Sequence, residues 1–183
     1  MGTLIEEIFS RKAGRPVHAG EIVLLDVDGI MSHDNTTPLA IKAFREIGKP
    51  LRDADKIIIH FDHAYPAPNV QAAENQKKAL DFIREQGIKN FFHQGVCHQV
   101  MIEEGFVAPG RVIVGGDSHT NTYGAFGAFS TGFGSTEIGV AWITGKAWFR
   151  VPTTILIRLE GQTRPGIYSK DVMLAVAGKL GMD

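Results

Sequence analysis

Two short strings in this sequence could do chemistry. Asp62-His63 and Asp117-Ser118-His119 each set a carboxylate beside an imidazole. A carboxylate in that place raises the basicity of the ring and fixes its tautomer, as general acid–base catalysis requires. Of the seven histidines, four lie among hydroxyls or acids in turn-like or helix-start settings: His33, His63, His98 and His119. A lone loop histidine is ordinarily solvated or capping, but two strand-end strings of the same content are harder to dismiss. Asp and His also ligate metals directly. A metal-dependent hydrolase therefore competes with acid–base chemistry on a hydroxy acid.

The stretch 115–137, GGDSHTNTYGAFGAFSTGFGSTE, carries six glycines, at 115, 116, 124, 127, 132 and 134. They serve tight turns, or they let backbone N–H groups approach an anion. The spacing is neither GxGxxG nor a P-loop, which argues against a nucleotide site. The single cysteine, Cys97, stands at a predicted helix start beside His98 and reads as packing rather than nucleophile.

These groups need elements to hold them. Thr3 and Glu6 form a capping-box pattern, so a helix should run from there to about Gly14. Residues 22–27 read as a strand, 31–38 (MSHDNTTP) as a polar loop, and Thr37-Pro38 as N-cap and N1 of a helix to about Gly48. Residues 56–61 are a β-branched strand that ends in the proline-containing loop 62–69. Asn69 caps a long helix to Gly87, whose apolar stripe faces the core. Strands at 88–92 and 111–114, a short helix at 98–104, a helix at 135–146, a strand at 153–159 and a last helix at 169–180 complete the prediction.

Strands alternate with helices, which predicts an α/β fold with a mostly parallel sheet flanked by helices, in one domain over 1–183. MSHDNT, DHAYP and GDSHT each follow a predicted strand, so all three could converge at one edge of the sheet, and α/β folds bind ligands beyond the carboxyl ends of their strands.

The composition, 44 % hydrophobic and 21 % charged with a net charge of −1, is that of an ordinary soluble domain. It gives no support to a general nucleic-acid surface. One cysteine excludes a disulfide within the chain and suits a reducing compartment. Nothing approaches the ~20 apolar residues of a membrane span. The expectation is a soluble cytoplasmic protein with no nucleic acid and no membrane among its partners.

GDSH at 116–119 is similar to the GDxH of metallophosphoesterases, but the GNHD-like string that should accompany it is missing. A far longer resemblance covers nearly the whole chain. PVHAGEIVLLDVD, HDNTTPLAI, FDHAYPAPN, CHQVMIEEGFVAPGRVIVGGDSHTNTYGAFGAFSTGFGSTE and WFRVPTTI resemble the large subunit of the aconitase superfamily, in its 3-isopropylmalate dehydratase and homoaconitase branch. The resemblance implies an aconitase-like α/β/α fold, incomplete here. It also implies a hydro-lyase that isomerises a hydroxy acid by dehydration and rehydration, with a [4Fe–4S] cluster in the complete enzyme. Leucine biosynthesis is the expected role and homoaconitate hydration in lysine biosynthesis the alternative.

By position, His63 held by Asp62 resembles the family's acid for the leaving hydroxyl. Asp117 and His119 resemble residues around the metal-bound water, and Ser118 a contact to a substrate carboxylate. His98 resembles a histidine paired with a later acid, and His33 a polar substrate contact. The family's three cluster cysteines lie beyond Asp183, so no metal ligand is expected in this chain and no cluster on it alone. A small subunit carrying the swivelling domain is the expected partner. The resemblance makes the chain an N-terminal portion, inactive by itself. A catalytically silent assembly module and self-association as a dimer are further expectations.

Overall fold

The computed structural model describes residues 2–181. Helix α1 (Leu4–Ala13) opens with the expected capping box and closes on Gly14 in the left-handed conformation. Strand β1 (Ile22–Asp26) follows, then β2 (Gly29–His33) and α2 (Thr37–Ile47). Strand β3 (Ile57–His60) leads through the 62–69 loop to α3 (Val70–Gln86). Asn69 accepts the Ala72 N–H, and Gly87 ends the helix. Then come β4 (Asn90–Phe92), α4 (Cys97–Glu103) and β5 (Val112–Gly115). A 3-10 helix (Ser118–Phe126), β6 (Phe129–Gly132), α5 (Ser135–Thr144) and β7 (Lys146–Arg150) complete the larger unit.

Five strands form one sheet in the order β4-β3-β2-β5-β6, and every neighbouring pair is parallel. The expected α/β fold with a mostly parallel sheet is borne out. Both faces of the inner strands β2, β3 and β5 are covered, so they are buried at every position rather than at alternate ones. Ile30, Ile57, Ile59, Val112 and Val114 belong to the main core, which includes Phe44, Phe82 and Trp142 from α2, α3 and α5. Met31, Ile58 and Ile113 point the other way, against Cys97, Met101 and Tyr123. Burial of Cys97 in that cluster agrees with its reading as packing.

The structure corrects several local expectations. Residues 31–33 are not loop but the end of β2, the middle strand, which is buried along its length. Polar Ser32 and His33 read as loop, yet Ser32 Oγ is satisfied at 2.7 Å by Thr37 Oγ1. Thr37 is therefore the first helical residue and not the N-cap, a place taken by Thr36. Strand β1 stands outside the main sheet and pairs antiparallel with β7, a strand the sequence did not announce.

The chain divides into two compact units, Met1–Thr153 and Thr154–Asp183. In the second, α6 (Ser169–Leu180) forms as expected. The strand expected at 153–159 does not form, because among the described residues no other strand pairs with it. Its β-branched sequence cannot make a strand without a ladder partner. No described helix is long and apolar enough to cross a membrane.

Candidate active site

The strand order sets the location of the site. From β2 the chain moves outward to β3 and β4, then returns across β2 to β5 and β6. The switch point lies between β2 and β5, and in such sheets the crevice outside the carboxyl ends there is the ligand site. His33 is the last residue of β2, Asp62-His63 follow β3, and Asp117 follows β5. The expected convergence occurs.

Asp117 is the hub. It caps the 3-10 helix, and its Oδ1 accepts the His119 N–H at 2.6 Å. That oxygen also pairs with His98 Nε2 at 3.1 Å and stands 3.3 Å from His119 Nδ1. Its other oxygen stands 3.4 Å from His63 Nε2 and 3.7 Å from His33 Nε2. Two glycines make room for this turn. A Cβ on Gly115 would collide with the buried Thr120 side chain, and one on Gly132 would come within 2.7 Å of the Asp117 carbonyl. Burial alone would raise the Asp117 pKa, but the His119 N–H and the two neighbouring imidazoles outweigh it and hold the carboxyl low.

Asp62 is the second carboxylate. It accepts from the Cys97 N–H at 2.7 Å and pairs with His63 Nδ1 at 2.7 Å. Burial opposes ionisation, but the His60 imidazole beside it, the Cys97 N–H and His63 together hold it well below the usual carboxylate range.

His63 and His33 are stacked, with ring centroids 3.7 Å apart and planes inclined by 12°. Their pKa values move in opposite directions. Burial pushes His63 down, but the hydrogen bond to Asp62 and the charges of Asp62, Asp34 and Asp117 leave it raised. Burial and the neighbouring His63 leave His33 lowered, against the pull of the same carboxylates. The ring that holds its proton more tightly thus lies on one that holds it less tightly. Environments that push two titratable groups apart mark an acid and its partner.

All seven predicted site residues are in or beside this crevice. Asp62, His63, His98 and His119 line a shallow open pocket together with Val96 and Cys97. Asp117 and His33 lie beside these side chains, with only 9 % and 6 % of their own exposed. Ser118 is exposed at the first turn of the 3-10 helix. Larger grooves elsewhere, such as that beside Phe133 and Trp148, gather no comparable set of titratable side chains.

Sequence reasoning missed four contributors. Tyr123 is fully buried and its hydroxyl pairs with His98 Nδ1 at 2.9 Å, which fixes that ring; burial and the nearby Cys97, Asp117 and Asp62 push its pKa up. His60, 1 % exposed, contacts the Gln94 carbonyl through Nε2 at 3.3 Å, while its Nδ1, 3.7 Å from Asp62, makes no hydrogen bond. Asp34 and Gln76 hold the 62–64 backbone. The string HDNTT contained the only hint, an acid directly after His33.

Donor atoms of His33, Asp34 and His63, and of His98, Asp117 and His119, lie close enough for each set to share a cation. The carboxylates of both sets already accept protein hydrogen bonds, Asp34 from backbone amides and Asp117 from the His119 amide and His98. An iron–sulfur cluster fits still less well. Cys97 is the one cysteine of the sequence and its thiol is buried. Burial and the charges of Asp62 and Asp117 push its pKa up, away from the thiolate that cluster iron requires.

The sequence profile of the Aconitase family (aconitate hydratase) matches residues 6–183. A probable 3-isopropylmalate dehydratase large subunit of Methanothermobacter thermautotrophicus is 49 % identical over 99 % of the chain, which covers 44 % of that relative. The 3-isopropylmalate dehydratase large subunit 1 of Methanopyrus kandleri is 48 % identical over 99 % of the chain and 44 % of its own length. The methanogen homoaconitase large subunit of Methanocaldococcus jannaschii is 45 % identical, covering 98 % of the chain and 43 % of the relative. The chain thus spans less than half the length of these relatives.

Proposed function

The chain belongs to the aconitase family, and from that premise we propose that it is the N-terminal part of a hydro-lyase large subunit. The complete enzyme isomerises a hydroxy-dicarboxylic acid by dehydration and rehydration, with 2-isopropylmalate and 3-isopropylmalate of leucine biosynthesis as the pair. The observation that supports the reading best is the stacked His63–His33 pair over Asp117. As an imidazolium His63 carries a proton on each nitrogen. Its Nδ1–H stays on Asp62, and the Nε2 proton, beside Asp117 at the edge of the pocket that His63 lines, is the one available to a leaving hydroxyl. The neutral ring left behind can take a proton back from water in the return direction. His98, fixed by Tyr123, keeps Asp117 anionic below the reacting atoms. Exposed Ser118 and His119 offer donors to a substrate carboxylate and to bound water.

The family's [4Fe–4S] cluster supplies Lewis acidity in the complete enzyme. Its thiolates do not come from this chain, which is inactive alone and needs both the remainder of the large subunit and a small-subunit partner. The metallohydrolase reading is set aside, because the family is that of aconitate hydratase.

The test is turnover of the complete two-subunit enzyme on 2-isopropylmalate. Conversion to the 3-isomer is expected. Conversion of homoaconitate instead would establish the second reading, which the 45 % identical homoaconitase subunit favours. No dehydration of either acid would overturn both.

A further inference from the structure

The segment bearing Asp62 and His63 is loop, yet its backbone is gripped from another strand. Asp34, one residue past β2, is 2 % exposed. Its Oδ1 accepts the His63 N–H at 3.1 Å and lies 3.4 Å from that of Asp62, and its Oδ2 accepts the Ala64 N–H at 2.6 Å. Among the described residues no lysine or arginine pairs with it, and the nearest basic nitrogen, His33 Nδ1, is 3.9 Å away. A buried carboxylate without a counter-ion is costly unless it is fully hydrogen-bonded. Here three successive amides take the place of a cation. Gln76, from α3, completes the clamp by donating to the Ala64 carbonyl at 2.8 Å.

We propose that Asp34 is a positioning residue for the Asp62–His63 pair, its buried carboxylate holding the amides of residues 62–64 so that His63 lies flat on His33 with Nε2 over Asp117. Its relevance to catalysis rests on the hydro-lyase reading; the placement does not. The geometry requires this kind of anchor. The loop leaves β3 without regular structure, bends at His63 and Ala64 and meets prolines at 66 and 68, so no helix or ladder pairs these N–H groups. Asp34 turns them into a rigid mount for two catalytic side chains. The groups facing His63 are Asp62 at Nδ1, Asp117 at Nε2, the His33 ring beneath, and Asp34 behind the backbone. Loss of the Asp34 charge therefore acts on the proton of His63 as well as on its location.

The experiment is an NMR pH titration of the histidines of this 183-residue chain, with amide hydrogen exchange, in the wild type and in Asp34→Asn. The variant keeps one carbonyl oxygen for these amides but replaces the other acceptor with an NH2 group and removes the charge. The expected result is a His63 midpoint lowered on the order of one pH unit and faster exchange at residues 62–64. Unchanged midpoint and exchange in a folded variant would overturn the proposal. Should the variant fail to fold, the wild type decides. Protected His63 and Ala64 amides support the grip, and freely exchanging ones refute it. Turnover of the complete enzyme is a separate readout. Lost turnover in Asp34→Asn with an unmoved His63 would overturn the positioning role while leaving the hydro-lyase reading standing. A shifted His63 in a protein without dehydratase activity would do the reverse.

Discussion

Around the switch point, Ser32, His33, Asp34, Thr37, His60 and Thr120 are polar and buried. In residues 155–159, Ile155, Leu156 and Leu159 are apolar and from 67 % to 82 % exposed. The two regions invert the ordinary rule of burial in opposite senses. In the first, most polar groups have partners: Ser32 has Thr37, Asp34 has three amides, Asp62 has Cys97 and His63, and Asp117 has His98 and His119, while His60 Nδ1 makes no hydrogen bond. Such a network fixes side chains that could otherwise rotate, and it sets their protonation. In the second, apolar side chains have no neighbours to bury them among the described residues of their unit. Burial of polar groups costs stability and is tolerated where the partners are complete; exposure of an apolar run marks a surface that contributes nothing by itself.

That contrast can be broken or sharpened by substitution. The largest effect is expected at His63. In the complete enzyme His63→Ala should lower kcat by about 10²–10⁴-fold, the range for a lost general acid. Near-normal turnover would take His63 out of the chemistry. Next comes Asp62→Asn. Hydrogen bonds to a charged group contribute roughly 1.5–3 kcal/mol, so urea unfolding at neutral pH should show a loss of about that size. The pH dependence has a definite sign. The native pKa of Asp62 lies below its unfolded value, so its contribution is present above ~4 and disappears as pH falls towards the native pKa. The variant should therefore show a flatter acid limb, and an acid limb as steep as the wild type's would contradict the assignment.

Gly115→Ala forces a methyl group into buried Thr120 beneath Asp117. Overpacking of this kind costs about 1–3 kcal/mol, measurable by thermal unfolding, and a neutral result would mean that the 117–120 turn relaxes freely. The smallest effect belongs to the other region. Leu156→Ser removes a side chain with 82 % exposure and should change the stability of this chain by less than about 0.5 kcal/mol. A large loss would show that the 155–159 run is already packed in solution.

Much of this was legible in the sequence where the signal was local. The capping box at Thr3 and Glu6, the Asn69 cap with its Gly87 stop, and the two Asp/His strings were all read from neighbours in the chain. What was not legible depended on partners far away in sequence. His33 and Ser32 read as loop because they are polar, yet they end the middle strand, and their neighbours across the sheet are His60 and Ile59. Residues 153–159 read as strand because they are β-branched, and among the described residues no strand pairs with them. Asp34 looked like one more turn residue until the amides of 62–64 were placed against it. Propensity is a local quantity, whereas the Asp34 contacts span 28–30 residues of chain.

The central claim is that this chain stacks two imidazoles over a shared carboxylate, one with its pKa raised and the other with it lowered. The most direct measurement is the wild-type histidine titration by NMR. The account expects His63 to titrate above the ordinary ~6.5 and His33 below it. Coincident midpoints at the ordinary value, or His33 titrating above His63, would contradict it.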